Sequence, residues 1–276
     1  MRRVLVFALA FAPASVLALG GVACSKKPSE RAPAPAPPPS LATTPVVVGK
    51  VRLVAAETGS VVVAIDAPLE KFRGETKKVL GAFDLDPTRL TATTGELSAD
   101  LDAFVTTTFH DADKDESQTE HARNWFEIGA DVEKKWRDDY RWARFTIERV
   151  EKASVAALAD AKAVDGVRSV RLTVRGSLRV HGRAASKTVE LELAFAGPPD
   201  APTGVKFATV APFAVSLAEH DVKPRDVTGR FLAGALEKVG KKLDDRAEIT
   251  VSGSASAQPS VMGSASAPPA PRPASS

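Results

Sequence analysis

Few side chains in this 276-residue chain are equipped for chemistry, and their spacing is the first constraint on what the protein does. The imidazoles are His110, His121, His181 and His220, and the only thiol is Cys24. No two histidines stand in an H-x-x-x-H or H-E-x-x-H relation, so no metal site is assigned. The stretch "DADKDESQTEHA" (residues 111–122) places Asp111, Asp113 and Asp115 at the first, third and fifth positions of a calcium loop. Its sixth position needs Gly and holds Glu116, and its twelfth needs Glu and holds Ala122. That stretch is expected to be a solvated acidic loop. There is no G-x-S-x-G elbow and no glycine-rich phosphate loop. No catalytic residue is therefore assigned, no cofactor is expected, and the chain is read as a non-enzyme.

The ends of the chain set a context. Met1-Arg2-Arg3 precedes an apolar run from Val4 to Leu19 and then "GGVACSKK", the pattern of a secretory signal over residues 1–23. The run is shorter than the roughly 18–20 apolar residues of a spanning helix. Cys24 follows Val22-Ala23 and resembles the lipobox of bacterial lipoproteins, whose cysteine becomes the acylated first residue. Gly21 stands where that motif usually has Leu, which keeps plain cleavage and secretion as an alternative. An acyl anchor contributes about 0.8 kcal/mol per buried CH₂. The protein is thus expected in the cell envelope, on the periplasmic side, membrane-anchored through Cys24. Residues 24–45 are a Pro/Ala-rich linker, residues 46–253 one domain, and residues 254–276 a disordered Ser/Ala/Pro tail. A single cysteine excludes an intramolecular disulfide. The net charge of +3 carries little, because Arg2, Arg3, Lys26, Lys27 and Arg31 lie outside the domain. Within it acids and bases alternate, so no nucleic-acid partner is expected. Nothing in the pattern fixes an oligomeric state.

The elements that hold the domain together are strands. In "VRGSLRVHGRAASKTVELEL" (residues 174–193), Val174, Leu178 and Val180 face one way, and Val189, Leu191 and Leu193 alternate with Thr188, Glu190 and Glu192. This is a hairpin around a Gly-containing break, each strand greasy on one face. The same period recurs at Val61 to Ile65, Val79 to Leu85, Leu97 to Leu101, Phe145 to Ile147, Val205 to Phe207, Phe213 to Leu217 and Ala247 to Val251. About eight or nine antiparallel strands with one polar face close most economically as a barrel or a two-sheet sandwich. Helices are expected at "DVEKKWRDDYRW" (131–142), at "TGRFLAGALEKVGKK" (228–242) and, more weakly, at "KASVAALADAKA" (152–163).

The inward list is Val63, Ile65, Phe83, Leu97, Leu101, Phe145, Ile147, Leu172, Val174, Leu178, Val180, Leu191, Leu193, Phe195, Phe207, Phe213, Val215 and Leu217, without an interior charge. Such a lumen suits a hydrocarbon chain better than a sugar or nucleotide. A strand from Val170 to Val180 spans about 36 Å at its full rise, tall enough for an extended lipid tail. Whether the lumen is open or filled by its own side chains stays undecided. The three tryptophans, Trp125, Trp136 and Trp142, fall close together with Tyr140 beside them. They read either as packing of an inserted helix or, with His121 and His181, as the rim and lid of a barrel mouth.

Taken together, "GSLRVHG" (176–182), "FRGETKKVLGAFDLDPTRLTATTGELSADL" (72–101), "HARNWFEIG" (121–129) and "VGKKLDDRAEITVSG" (239–253) resemble, in order and spacing, the YceI-like lipid/polyisoprenoid-binding family. The resemblance implies a mainly β fold, an extended lipocalin-like antiparallel barrel of about eight strands with two or three short inserted helices. It also implies an isoprenoid quinone or polyprenyl lipid in the lumen. The chain departs from the pattern at the turn after His181-Gly182, where "RAAS" adds about two residues. Thr119-Glu120 replace an Arg-Asp pair before His121, and the segment around Trp136 is inserted.

Overall fold

The structure, a computed structural model, describes residues 49–57, 59–66, 71–223 and 246–258. The signal, Cys24, the linker, the helix expected at 228–242 and the chain beyond Gln258 lie outside the described residues. The strands are β1 (Val51–Ala56), β2 (Gly59–Asp66), β3 (Lys71–Thr76), β4 (Val79–Leu85), β5 (Thr94–Asp100), β6 (Val105–Thr106), β7 (Trp142–Ala153), β8 (Ala163–Val164), β9 (Val167–Val180), β10 (Arg183–Ala196), β11 (Gly204–Thr209), β12 (Phe213–Ser216) and β13 (Arg246–Ala257). Two helices, α1 (Ala112–Trp125) and α2 (Lys134–Tyr140), stand between β6 and β7.

Several of these segments are halves of longer strands. β1 and β2 both pair with β13, Leu53 opposite Ala257 and Gly59 opposite Gly253, with a register slip between them. β3 and β4 run against β2 and β1 in the same way, β6 and β5 against β3 and β4, and β11 and β12 against β13. Such slips are bulges, which bend a strand and let a sheet curl shut. Joined so, and with β7, β9, β10 and β13, they make eight long antiparallel strands, each beside its chain neighbours, with β13 returning to β1. The barrel is closed, and the up-and-down order leaves no edge for most of its height.

The longest ladder is β9 against β10, in register from Val180↔Arg183 to Val167↔Ala196. Its turn is only His181-Gly182, both in the left-handed region at φ 49° and 73°, the geometry of a type I′ hairpin. "RAAS" is therefore strand and not an enlarged turn; its small residues had hidden the alternation. Gly176 is needed for a different reason. A Cβ there would stand 2.4 Å from the Thr146 carbonyl oxygen and 2.6 Å from the Phe145 ring, so the neighbouring strand can approach only a glycine.

One end of the barrel, here the lower, holds the starts of β1, β5, β9 and β11. Two short 3-10 turns, Leu90–Ala92 and Leu158–Asp160, plug it. The Leu90 amide donates to the Ala156 carbonyl (3.0 Å) and the Leu158 amide to the Pro87 carbonyl (2.7 Å), so the two loops strap each other. The helix expected at 152–163 is thus absent: Val155 and Leu158 pack into the core from a strapped loop instead of sharing a helix face. Leu90 and Leu158 are almost wholly buried.

The helices lie at the other end. The acidic stretch is not a loop but the start of α1. Asp111 is its N-cap, accepting from the Lys114 amide at 3.1 Å, and Asp115 accepts from the amides of Phe109 and Asp111. Carboxylates in a first helical turn satisfy free amides and oppose the helix dipole. The face α1 buries is Gln118, Thr119 and Ala122, with Thr119 bonded to Thr106 of β6. α2 is shorter than expected, but its Lys134–Asp138 pair forms at 2.7 Å.

Candidate ligand cavity in the upper barrel

Inward-facing residues do not all do the same thing. In the lower half Leu53, Leu85, Leu90, Leu158, Val170, Leu172, Val174, Leu193, Phe195, Val205 and Phe207 form one packed cluster. Phe83 and Phe207 meet edge-to-face there, centroids 5.5 Å apart. The gap left among them is about 20 Å³, little more than one water-sized sphere. Among the described residues the lower half is filled by its own side chains.

The upper half is different. It encloses a cavity of about 130 Å³. Of the residues expected inside, Val63, Phe83, Leu97, Leu101, Phe145, Ile147, Leu178, Val180, Leu191, Phe213, Val215 and Leu217 line it. Leu172, Val174, Leu193, Phe195 and Phe207 belong to the packed half instead, and Ile65 packs with Phe72, Phe104 and Ala122 beneath α1. Lining residues that the alternation did not single out include Phe104, Phe126, Ala143, Val222 and His220. Among the described residues the wall carries no Asp, Glu, Lys or Arg. The inner face as a whole is not free of charge, however. Lys187 shares the face of Val189 and Leu191, above the cavity, where its ammonium meets Glu219 at 2.8 Å.

The expected rim is placed elsewhere. Trp125 stacks on Phe72 (6.0 Å), Trp136 on Tyr140 (6.2 Å), and the Arg141 guanidinium lies over Trp142 (5.3 Å). Tyr140 is 1% exposed and packs with Leu101 and Ile128. None of these four lines the cavity; from the aromatic segment only Phe126 does, edge-on to Phe104 at 6.1 Å. Trp125, Trp136 and Tyr140 fasten helices to the barrel and Trp142 packs under Arg141 at the start of β7, so none of the four forms a lid over the cavity wall.

His121 is exposed on α1, away from the cavity wall. His181 is buried, its Nε2 2.8 Å from a Glu127 carboxylate oxygen, its Nδ1 3.3 Å from the His220 carbonyl, and its ring 4.1 Å from that of Tyr140. The contact ties the β9–β10 turn to the α1–α2 connection, and His181 does not line the cavity.

His220 does line it. Its turn, Ala218–His220, ends at Asp221 in the left-handed region (φ 55°), with the Asp221 carboxylate held by Arg183 and Lys223. Burial lowers the His220 pKa from its ordinary 6.5. The Arg183 carbonyl draws it back up, Lys187 depresses it further, and Glu219 and the Val180 carbonyl oppose that. Among the described residues no three His, Cys, Asp or Glu side chains are grouped to hold a metal.

No family model and no curated protein matches the chain. Solved structures do superpose on it. A polyisoprenoid-binding domain from Saccharophagus degradans, implicated in plant cell wall breakdown, is 12% identical with a TM-score of 0.49, covering 76% of this chain and 99% of its own. Burkholderia cenocepacia BcnA is 15% identical at TM-score 0.45, covering 72% and 96%. A Campylobacter jejuni YceI protein is 13% identical at TM-score 0.43, covering 67% and 84%. With TM-scores below 0.5, none of these likenesses transfers a residue role to this chain.

Proposed function

We propose that this is a lipid-binding protein of the cell envelope, which takes the end of an isoprenoid or other long-chain apolar lipid into its upper barrel and carries or stores it without catalysis. The observation that carries this reading is the cavity wall, apolar over nearly its whole area and without a carboxylate, ammonium or guanidinium group among the described residues. Transfer of apolar surface out of water supplies the affinity, at about 25 cal/mol per Å² buried. The volume sets the stoichiometry. An apolar cavity of this scale takes a benzene-sized guest, so about one isoprene unit or one ring fits inside. The remainder of a longer chain stays outside the described cavity.

The packed lower half favours a second reading, a structural or interaction barrel with no ligand. One experiment separates the two. The full-length purified protein is mixed with farnesol and examined by native mass spectrometry, beside Ala143→Phe, whose ring would occupy the cavity. Uptake of one farnesol by the native protein and none by a folded Ala143→Phe supports the lipid reading. No uptake by the native protein, or equal uptake by both, overturns it.

Anchoring rests on Cys24. The outward strand faces are polar, with Arg171, Arg175, Glu190 and Glu192 exposed on β9 and β10, and offer a bilayer no apolar surface there. Acylation of Cys24 would supply the membrane affinity that these faces lack. In growing cells labelled palmitate should enter the native chain and not Cys24→Ala, and the variant should leave the membrane fraction. Normal processing with unchanged membrane association of Cys24→Ala would show the lipoprotein assignment to be wrong.

A further inference from the structure

Two side-chain polar atoms of the cavity wall are buried without a hydrogen-bond partner among the described residues: Ser98 Oγ and His220 Nε2. Native proteins rarely leave such atoms unpaired, since each forfeits its hydration with nothing in exchange. They differ in what they can recognise. A serine hydroxyl rotates and both donates and accepts, so it cannot tell one kind of ligand head from another.

The histidine can. His220 is 1% exposed, and its Nδ1 lies 2.9 Å from the Arg183 carbonyl oxygen. A carbonyl only accepts, so Nδ1 holds the proton and donates. In the neutral ring Nε2 is then a lone pair and nothing else. The ring has little freedom to swap roles, because its turn is fixed on both sides, by Glu219 on Lys187 (2.8 Å) and by Asp221 on Arg183 (3.4 Å). The backbone is held too, with the Val222 amide on the Leu217 carbonyl at 3.0 Å.

We propose that His220 Nε2 anchors the polar end of the molecule bound in the cavity, and that this end is a hydrogen-bond donor: the hydroxyl of an alcohol, a phenol or a hydroquinone, in preference to the carbonyl of a quinone or an ether oxygen. The inference rests on the cavity being a ligand site and adds the chemistry of the head group. The neutral ring it requires persists near neutral pH. Burial is the largest influence and disfavours the imidazolium, with Lys187 acting the same way. Glu219 and the carbonyls of Arg183 and Val180 act against it. On the far side His181, paired with Glu127, reaches only the backbone carbonyl of His220.

The test uses a matched pair of probes, geraniol and geranyl methyl ether, titrated into the full-length protein at pH 7.5. One net hydrogen bond separates them, which corresponds to about tenfold in affinity in favour of the alcohol. His220→Phe should abolish that preference, so that alcohol and ether bind alike, and Ser98→Ala should keep it. As pH falls below 6.5 the preference should persist at first, because the folded ring protonates later than a free one. It should shrink only once the imidazolium forms and Nε2 becomes a donor. A nitrogen-15 spectrum of the native protein gives a reading that needs no variant: geraniol should move the His220 Nε2 resonance and the ether should not. Uptake of both probes with equal affinity, or a preference that survives His220→Phe, overturns this inference and leaves the cavity reading intact. Uptake of neither overturns both.

Discussion

Arg141→Met is expected to lower the folding stability by about 3–5 kcal/mol, seen as a reduced urea midpoint at unchanged slope. Asp100 is only 1% exposed, and its two carboxylate oxygens receive the Arg141 guanidinium at 2.8 and 2.6 Å. The pair joins the top of β5 to the residue between α2 and β7, where the Leu101 amide also donates to the Arg141 carbonyl (2.8 Å). The hydrogen-bonded carboxylate raises the guanidinium's already high pKa. The two partners are unequal, since Arg141 is 38% exposed and Asp100 is not. Without Arg141 a buried charge is stranded. Without Asp100 the guanidinium turns to water, so Asp100→Asn should cost less. The double substitution should recover much of the loss, because a neutral amide needs no counter-charge. A cost below about 1 kcal/mol for Arg141→Met would mean that this pair is worth no more than an ordinary surface one.

Leu172→Ala is expected to be nearly as damaging, at about 2–5 kcal/mol, because it enlarges a gap of about 20 Å³ in an otherwise packed cluster. Leu178 lies on the same face of the same strand but borders the cavity, so it has fewer neighbours to lose. Leu178→Ala should cost about half as much and should admit a bulkier guest, measured as uptake of farnesol relative to geraniol. Equal costs at the two positions would mean that the upper barrel is as tightly filled as the lower, and the cavity would lose its standing as a site.

Leu172 and Leu178 also show how far the sequence can be read. Both have the same alternating signature, which says that a residue points inward and nothing about how crowded it is there. The barrel wall was legible because each strand keeps one polar face. The joints were not: β1 and β2 look like separate segments because a bulge interrupts their common period. α1 is not legible in the sequence because its buried face is Gln118, Thr119 and Ala122, too polar to show a helical period, while the aspartates that cap it mimic a metal loop. The tryptophans stand out in the sequence, but their neighbours decide their role, and those come from elsewhere in the fold: Phe72 of β3 for Trp125, Leu101 and Val180 for Trp136. His220 escaped because a three-residue turn has no period at all, and the carbonyl that fixes its tautomer comes from Arg183, far along the chain.

The return of β13 to β1 has a consequence for how the barrel comes into being. Every other neighbouring pair is also a neighbour in the chain, and the β9–β10 hairpin, closed by a two-residue turn, is the most local of all. The seam joins Leu53 to Ala257, and the Gln258 amide to the Arg52 carbonyl at 2.9 Å, across nearly the whole domain. Closing so long a loop is entropically the dearest contact and the slowest to be made. During synthesis the curved sheet is thus complete on seven strands while its last is still unmade. For that interval the greasy inner face lies open along the seam, and the nascent chain is at its most vulnerable to association just before it becomes a barrel.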